Sequence, residues 1–240
     1  MSNVYTGREY LQATNETWHS GDSPWKASQI LRMIRKNDIH PKTIGEIGCG
    51  AGRILEELSK EPKLTGVRFH GYDISPHAIE LCKTIDNKNC TFSCSDLLAE
   101  ENNERHFDIL LVIDVYEHIP DYIGFVERCR PKADYKIYHI PLDISVSSVL
   151  RNSFIPAGGV FPGGRYHLHY FTADWALATL RETGHEIVDY FYTSGSFGVF
   201  WQHPSLKTAI ANCPRWLFSK FSLPFTARVF GGYSLLVLAK

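Results

Sequence analysis

The stretch Thr43-Ile44-Gly45-Glu46-Ile47-Gly48-Cys49-Gly50-Ala51-Gly52-Arg53-Ile54-Leu55 narrows what this chain can fold into. Ile44 and Ile47 give strand character. Gly48, Gly50 and Gly52 then alternate with small residues, and Ala51, Ile54, Leu55 and Leu58 fall at helical spacing on one face. A buried strand, a glycine turn and a helix start are expected in that order. Glycines at such a turn allow positive φ and leave no Cβ in the way of a bound molecule. Amides at a fresh helix N-terminus favour an anionic ligand group. The stretch therefore reads as a cradle for a nucleotide-like cofactor.

The spacing selects among cofactors. A dinucleotide fingerprint is G-x-G-x-x-G. Here the run from Gly48 is G-x-G-x-G, position 53 is Arg, and the acid Glu46 precedes the first turn glycine by two. The string Glu46-x-Gly48-x-Gly50-x-Gly52 resembles motif I of the class I S-adenosylmethionine (SAM)-dependent methyltransferases. The missing glycine argues against a nicotinamide-dependent oxidoreductase.

The rest of the chain carries further motifs in order. Val67 to Asp73 reads as the second strand and ends in an acid 21 residues past Gly52. A carboxylate at that strand end accepts from both ribose hydroxyls in nucleotide-binding α/β sheets. Ser75 and Pro76 then cap and open a helix. The third strand, about Cys90 to Ser95, leads into Asp96-Leu97, which is similar to the family's adenine-binding acid and amide. Phe107 to Val115 is the most apolar run of the N-terminal half and suits a central parallel strand. It enters Asp114-Val115-Tyr116-Glu117-His118-Ile119-Pro120, which resembles the post-strand motif of small-molecule methyltransferases with Tyr116 in place of the usual leucine. That departure is read as an extension of the substrate wall.

The resemblance implies a doubly wound α/β fold with a seven-stranded, mostly parallel sheet, an antiparallel last strand and helices on both faces. It implies SAM as cofactor, S-adenosylhomocysteine as product, and cofactor contacts at Glu46, Gly48, Cys49, Gly50, Gly52, Asp73, Ile74, Asp96, Leu97, Asp114, Val115 and His118. The function implied is methyl transfer to an O, N or C atom of a small-molecule acceptor: a quinone precursor, a secondary metabolite or a glycan sugar. A hydroxyl acceptor must lose its proton, and histidine is the usual base. His118, His139 and His167 are the candidates. The alternative from another class is a non-catalytic SAM- or nucleotide-binding regulatory module. Its signature would be an eroded glycine turn or ribose acid, and both are intact.

The chain of 240 residues is read as one domain, 1–240. Residues 1–40 form an N-terminal helical cap, with a helix opened by Ser23 as N-cap and Pro24, and with Tyr5, Trp18 and Trp25 as candidate aromatic neighbours of the site. Residues 142–171 are expected to be an irregular substrate cover, ending in His167-Leu168-His169-Tyr170-Phe171-Thr172. A helix from Ala173 to about Thr183 follows, capped by Thr172 and stopped by Gly184. Strands are expected at 187–192 and 234–239. The insertion 201–232 lies before the last strand, and its part from 204 onwards is aromatic with only basic charges. Such a segment can lie on a membrane surface.

Net charge of −1 and the absence of a basic stripe exclude a nucleic-acid partner, as does the lack of an Asn-Pro-Pro-Tyr/Phe motif after the central strand. Six cysteines without C-x-x-C spacing read as free thiols. The first residues hold no apolar core of a signal peptide, and no apolar run reaches about 20 residues, so a cytoplasmic location is expected. His139, His167 and His169 have metal-binding side chains. No acid completes that set, so no metal is expected.

Overall fold

The computed structural model describes residues 20–154, 167–194 and 206–240. The sequence readings of Tyr5, Trp18 and the first part of the cap, of residues 155–166 in the cover, and of 195–205 at the start of the insertion lie outside those residues.

Seven strands form one sheet: β1 Thr43–Ile47, β2 Arg68–Asp73, β3 Cys90–Cys94, β4 Phe107–Ile113, β5 Ala133–Pro141, β6 Ile187–Thr193 and β7 Ser234–Ala239. Their spatial order is β3-β2-β1-β4-β5-β7-β6. The strands β3, β2, β1 and β4 run parallel, with Ile47 opposite both Tyr72 and Val112. The sheet is mixed, with antiparallel last strands. The helices are α1 Ser23–Lys36, α2 Arg53–Ser59, α3 Pro76–Cys82, α4 Tyr122–Cys129, α5 Val146–Phe154, α6 Ala173–Glu182, α7 Leu206–Ser219 and α8 Leu223–Phe230. The expected architecture and strand positions are met. Among the described residues no helix is long and apolar enough to cross a membrane.

Two compact units divide the chain. The first holds residues 1–113, 128–137 and 238–240; the second holds 114–127 and 138–237. In the first unit, β4 is buried from Ile109 to Ile113 because it is apolar throughout, as a central parallel strand must be. Helix α1 buries Ala27, Ile30, Leu31, Met33 and Ile34 along one stripe. It begins one residue earlier than its expected cap: Asp22 occupies the N-cap position, without a side-chain bond, and Ser23 is the first helical residue.

Glu46 sits in the middle of the buried β1, with 1% of its surface exposed. Burial holds its carboxyl well above the usual carboxylate range; Lys26 pulls it down, while Cys82 and Asp73 add to the rise. Losing water disfavours the charged form, so the folded chain keeps a proton that the unfolded chain releases.

In the second unit, Thr172 caps α6 by accepting from the Trp175 amide, and Gly184 follows at φ 83°. Both match the sequence reading. Two expectations are corrected here. Residues 146–154 are helical rather than irregular. Ser145 starts that helix: its hydroxyl accepts from the Ser148 amide at 3.1 Å, while the Ser148 hydroxyl accepts from the Ser145 amide at 2.8 Å. Reciprocal capping of this kind supplies a helix start from side chains that a reading for glycines and aromatics passes over. Tyr116, in turn, is core rather than substrate wall. It is 1% exposed and packs against Phe171 at 5.0 Å, Tyr122 at 6.1 Å and Tyr138 at 6.2 Å between ring centroids.

Two tests follow from burial. The Tyr116 hydroxyl is buried with no hydrogen-bond partner. Removing an unsatisfied hydroxyl relieves its desolvation cost, so Tyr116→Phe is expected to be neutral or stabilising by up to about 1 kcal/mol in urea unfolding. A loss of more than about 1 kcal/mol would contradict this account. For Glu46, stability is complete below the unfolded carboxyl pKa and falls as pH rises towards the raised folded value. Glu46→Gln does not titrate, so its Tm relative to the parent chain should climb as pH rises above the ordinary carboxylate range of about 4 to 5. A constant or shrinking difference would refute the assignment.

Candidate functional site

Within the first unit, the glycine turn follows β1 directly. Gly48, Gly50 and Gly52 have φ of 69°, 52° and 72°, a region in which side chains with a Cβ are strained. The amides of Gly48 and Cys49 both donate to the Tyr72 carbonyl, at 2.8 and 3.1 Å, which stitches the turn to the end of β2. Gly52 is left-handed at the N-cap of α2. A Cβ there would stand 2.5 Å from the Phe92 ring. That glycine is required by packing, whereas the sequence reading assigned it to clearance for a ligand.

Asp73 ends β2. One carboxylate oxygen accepts from the Gly50 amide at 2.9 Å and the other from the Ser75 amide at 2.8 Å. Burial raises its carboxyl pKa, and those two amides draw it back down. Each oxygen retains a further lone pair for a diol. Ser75 caps α3 through the Ala78 amide, as expected. Beside Asp73, Ile74 is 55% exposed, an apolar face available to a ring. Asp96 is exposed and accepts from the Leu98 amide at 2.9 Å, while Leu97 is fully buried. Cys49 lies in the turn; its thiol pKa is pushed well up by the Cys82 thiol and by burial. The Cys82 thiol donates to the Gly50 carbonyl at 3.2 Å. The buried Glu46 Oε2 has no hydrogen-bond partner. A positive-φ amide turn, a doubly anchored ribose acid, an exposed isoleucine and an open buried acceptor fit SAM.

Within the second unit, Asp114 follows β4 with φ 54°, a strained value for a residue other than glycine. His139 accounts for that conformation. Its carbonyl accepts from the Asp114 amide at 3.0 Å, and its Nδ1 meets Asp114 Oδ1 at 2.6 Å. The other ring nitrogen meets the Thr193 hydroxyl at 2.9 Å. His139 is 4% exposed, with one ring nitrogen engaged by Asp114 and the other by Thr193. Val115 leads into the single 3₁₀ turn Tyr116–His118.

The other two candidate bases come together. His118 and His167 lie edge to face with centroids 4.8 Å apart. His118 Nε2 is 3.9 Å from Glu117 Oε1, and Glu117 is 0% exposed. His167 Nδ1 bonds Asp143 Oδ2 at 2.8 Å. His169 stands apart, with Nε2 donating to the carbonyls of Ile119 and Pro120 and its ring against Tyr122. The sequence trio His139, His167 and His169 is therefore not assembled. Asp143 and Glu117 are the members the sequence reading missed. Glu117 stands next to His118 in the motif after β4, whereas Asp143 lies 24 residues from His167 and no local spacing marks it. A cavity of about 310 Å³ in the same unit is lined by Asp143, Ser145, Ser148, Arg151, Arg215 and Tyr233 among others. Burial and the nearby Arg151 lower the Arg215 guanidinium from its usual pKa, against a smaller rise from Tyr233.

Comparison with known proteins places these motifs. Residues 46–133 match the family model described as a methyltransferase domain. The ubiquinone biosynthesis O-methyltransferase of Actinobacillus pleuropneumoniae serotype 7 (strain AP76) is 24% identical over 148 residues, covering 54% of this chain and 61% of that protein. The enzyme of the same name from Coxiella burnetii (strain Dugway 5J108-111) is 28% identical over 123 residues, covering 48% and 51%. The chain thus spans half to three-fifths of the length of these relatives. Among solved structures, the N-methyltransferase NodS from Bradyrhizobium japonicum WM9, in complex with S-adenosyl-L-homocysteine, superposes with a TM-score of 0.60 at 16% identity, covering 99% of this chain and 98% of that one. The plantazolicin methyltransferase BpumL, also in complex with S-adenosylhomocysteine, gives 0.56 at 18% identity, covering 97% and 88%. Residues 46–133 thus match a methyltransferase domain, and the chain shares its fold with solved methyltransferases that bind S-adenosylhomocysteine.

Proposed function

We propose that the chain transfers the methyl group of SAM to an oxygen, nitrogen or carbon atom of a small-molecule acceptor. The observation that carries this reading is Asp73, buried and anchored to both the glycine turn and the start of α3 at the position where a ribose is held. When bound, SAM supplies an electrophilic methyl on a sulfonium, and the protein's task is binding, orientation and exclusion of water. Asp73 holds the ribose, Asp96 with the Leu97 amide the adenine, and the amides of the turn the amino-acid end. Acceptor handling falls to the second unit. Its cavity is of small-molecule size, and Asp143, on the cavity wall, also fixes the His167 ring. The relatives named as ubiquinone O-methyltransferases support a hydroxyl acceptor. An intact cofactor turn and ribose acid weigh against the regulatory-module alternative.

Titration calorimetry with S-adenosylhomocysteine tests the cofactor. Micromolar binding is expected, weakened tenfold or more, about 1.4 kcal/mol, by Asp73→Ala. No heat with the parent chain would overturn the assignment, and binding without turnover on phenols, quinols or glycan precursors would favour the regulatory module.

A specific observation also favours a lipid surface as partner of α7 and α8. Trp216, Phe221 and Phe225 are exposed, Phe221 by 83%. The Lys220 ammonium sits over the Trp216 ring at 3.7 Å. From 204 to 232 every charge is basic. Exposed aromatic side chains in a segment whose own charges are all basic suit an anionic bilayer. Cosedimentation with phosphatidylcholine vesicles containing about 30% phosphatidylglycerol should retain the parent chain and release Phe221→Ser with Phe225→Ser. Equal retention of both would refute the contact.

A further inference from the structure

We infer that Glu117, His118 and His167 form a binding site for a divalent first-row transition ion. The ligand atoms of this carboxylate and two imidazoles all lie within 4.8 Å of one another. Two groups on a common ion at about 2.1 Å stand at most about 4.2 Å apart, so modest side-chain rotations close the set.

The backbone makes this arrangement a built one. Glu117 and His118 are neighbours on the 3₁₀ turn after β4, which is held by the His118 amide on the Val115 carbonyl at 3.0 Å and the Ile119 amide on the Tyr116 carbonyl at 3.1 Å. His167 arrives from 49 residues further along the chain. Its segment is clamped to the same turn, because the amides of Leu168 and His169 both donate to the Glu117 carbonyl, at 2.9 and 3.1 Å. One carbonyl thus brings the third group to the first two.

Two further features point to a cation. Asp143 takes the His167 Nδ1 proton at 2.8 Å, fixing the tautomer that leaves Nε2 to coordinate. A carboxylate behind a ligating imidazole is the usual outer partner at metal sites and raises ligand basicity. Glu117 is wholly buried, and a carboxylate withdrawn from water is stabilised by adjacent positive charge. Two imidazoles and one carboxylate leave coordination positions open, the pattern of reactive rather than structural sites. An acceptor hydroxyl entering an open position would have its pKa lowered: its O–H bond breaks, the proton passes to solvent, and the electron pair stays on oxygen. His118 and His167 would then be ligands, and no general base would be required. That catalytic consequence rests on the proposed methyl transfer; the ion site itself does not.

The test is titration of the purified chain with Co²⁺, read by visible absorption, and with Zn²⁺ by calorimetry. One ion per chain is expected. His118→Ala and His167→Ala should each weaken binding by more than about tenfold, and Asp143→Asn by about tenfold. S-adenosylhomocysteine titrated into the His167→Ala and Asp143→Asn samples should bind as it does to the parent chain, which separates failure of this site from failure of the cofactor assignment. Glu117→Gln removes a buried charge, so the partly exposed His118 is the preferred variant. Absence of saturable binding would overturn the proposal. So would binding that survives both histidine substitutions, since it would then belong to thiols such as the exposed Cys94 and Cys213.

Discussion

The first unit depends on one carboxylate. Asp73 accepts an amide from the glycine turn on one oxygen and an amide from the start of α3 on the other. Neither turn could keep its shape alone: the glycine turn has three residues at positive φ, and α3 is only seven residues long. A charged acceptor gives each amide a bond of roughly twice the ordinary strength. The tension lies in burial, which pushes the carboxyl towards its neutral form while the two amides oppose it. On the proposed reading, a ribose diol would add donors to the same oxygens and act in the direction of the amides.

The second unit solves a similar problem with a backbone atom. The Glu117 carbonyl receives two amides from a segment about fifty residues away and so sets where His167 stands. Asp114 shows the same economy at β4's end. Its positive φ is maintained by main-chain and side-chain bonds to His139 together, and Thr193 fixes the far nitrogen of that ring. Histidines that look equivalent in the sequence thereby take different tasks. His139 is buried between Asp114 and Thr193, His169 is a carbonyl donor, and His118 and His167 meet edge to face.

What could be read beforehand follows from how local the signals are. The strands, the cap at Ser75, the Thr172 cap and Gly184 were legible because each is written within a few neighbouring residues. The place of Asp73 at the end of β2 was legible because a strand of fixed length separates it from the turn. Tyr116 misled because a post-strand motif says where the chain goes and not which way a ring points; three other aromatics from distant segments claim it for the core. The helix at 146–154 was hidden by a start made from serines, without proline or glycine at its head. The Asp143–His167 bond and the Glu117 cluster were illegible, because both arise from long-range pairing that the sequence encodes only through the whole fold.

That division bears on what the relatives can lend. The family match ends at residue 133 and covers the glycine turn, Asp73, Asp96 and the Asp114–His118 motif. Asp143, the cavity wall, His167 and the exposed aromatics of α7 and α8 all come later in the chain. The match thus covers the proposed cofactor residues and leaves out the cavity wall, on which the proposed acceptor handling rests. A fold shared at 16–18% identity does not carry a substrate with it. The cavity's serines and arginines and Asp143 all lie beyond residue 133, so a test of the proposed acceptor selectivity starts from them and not from the relatives.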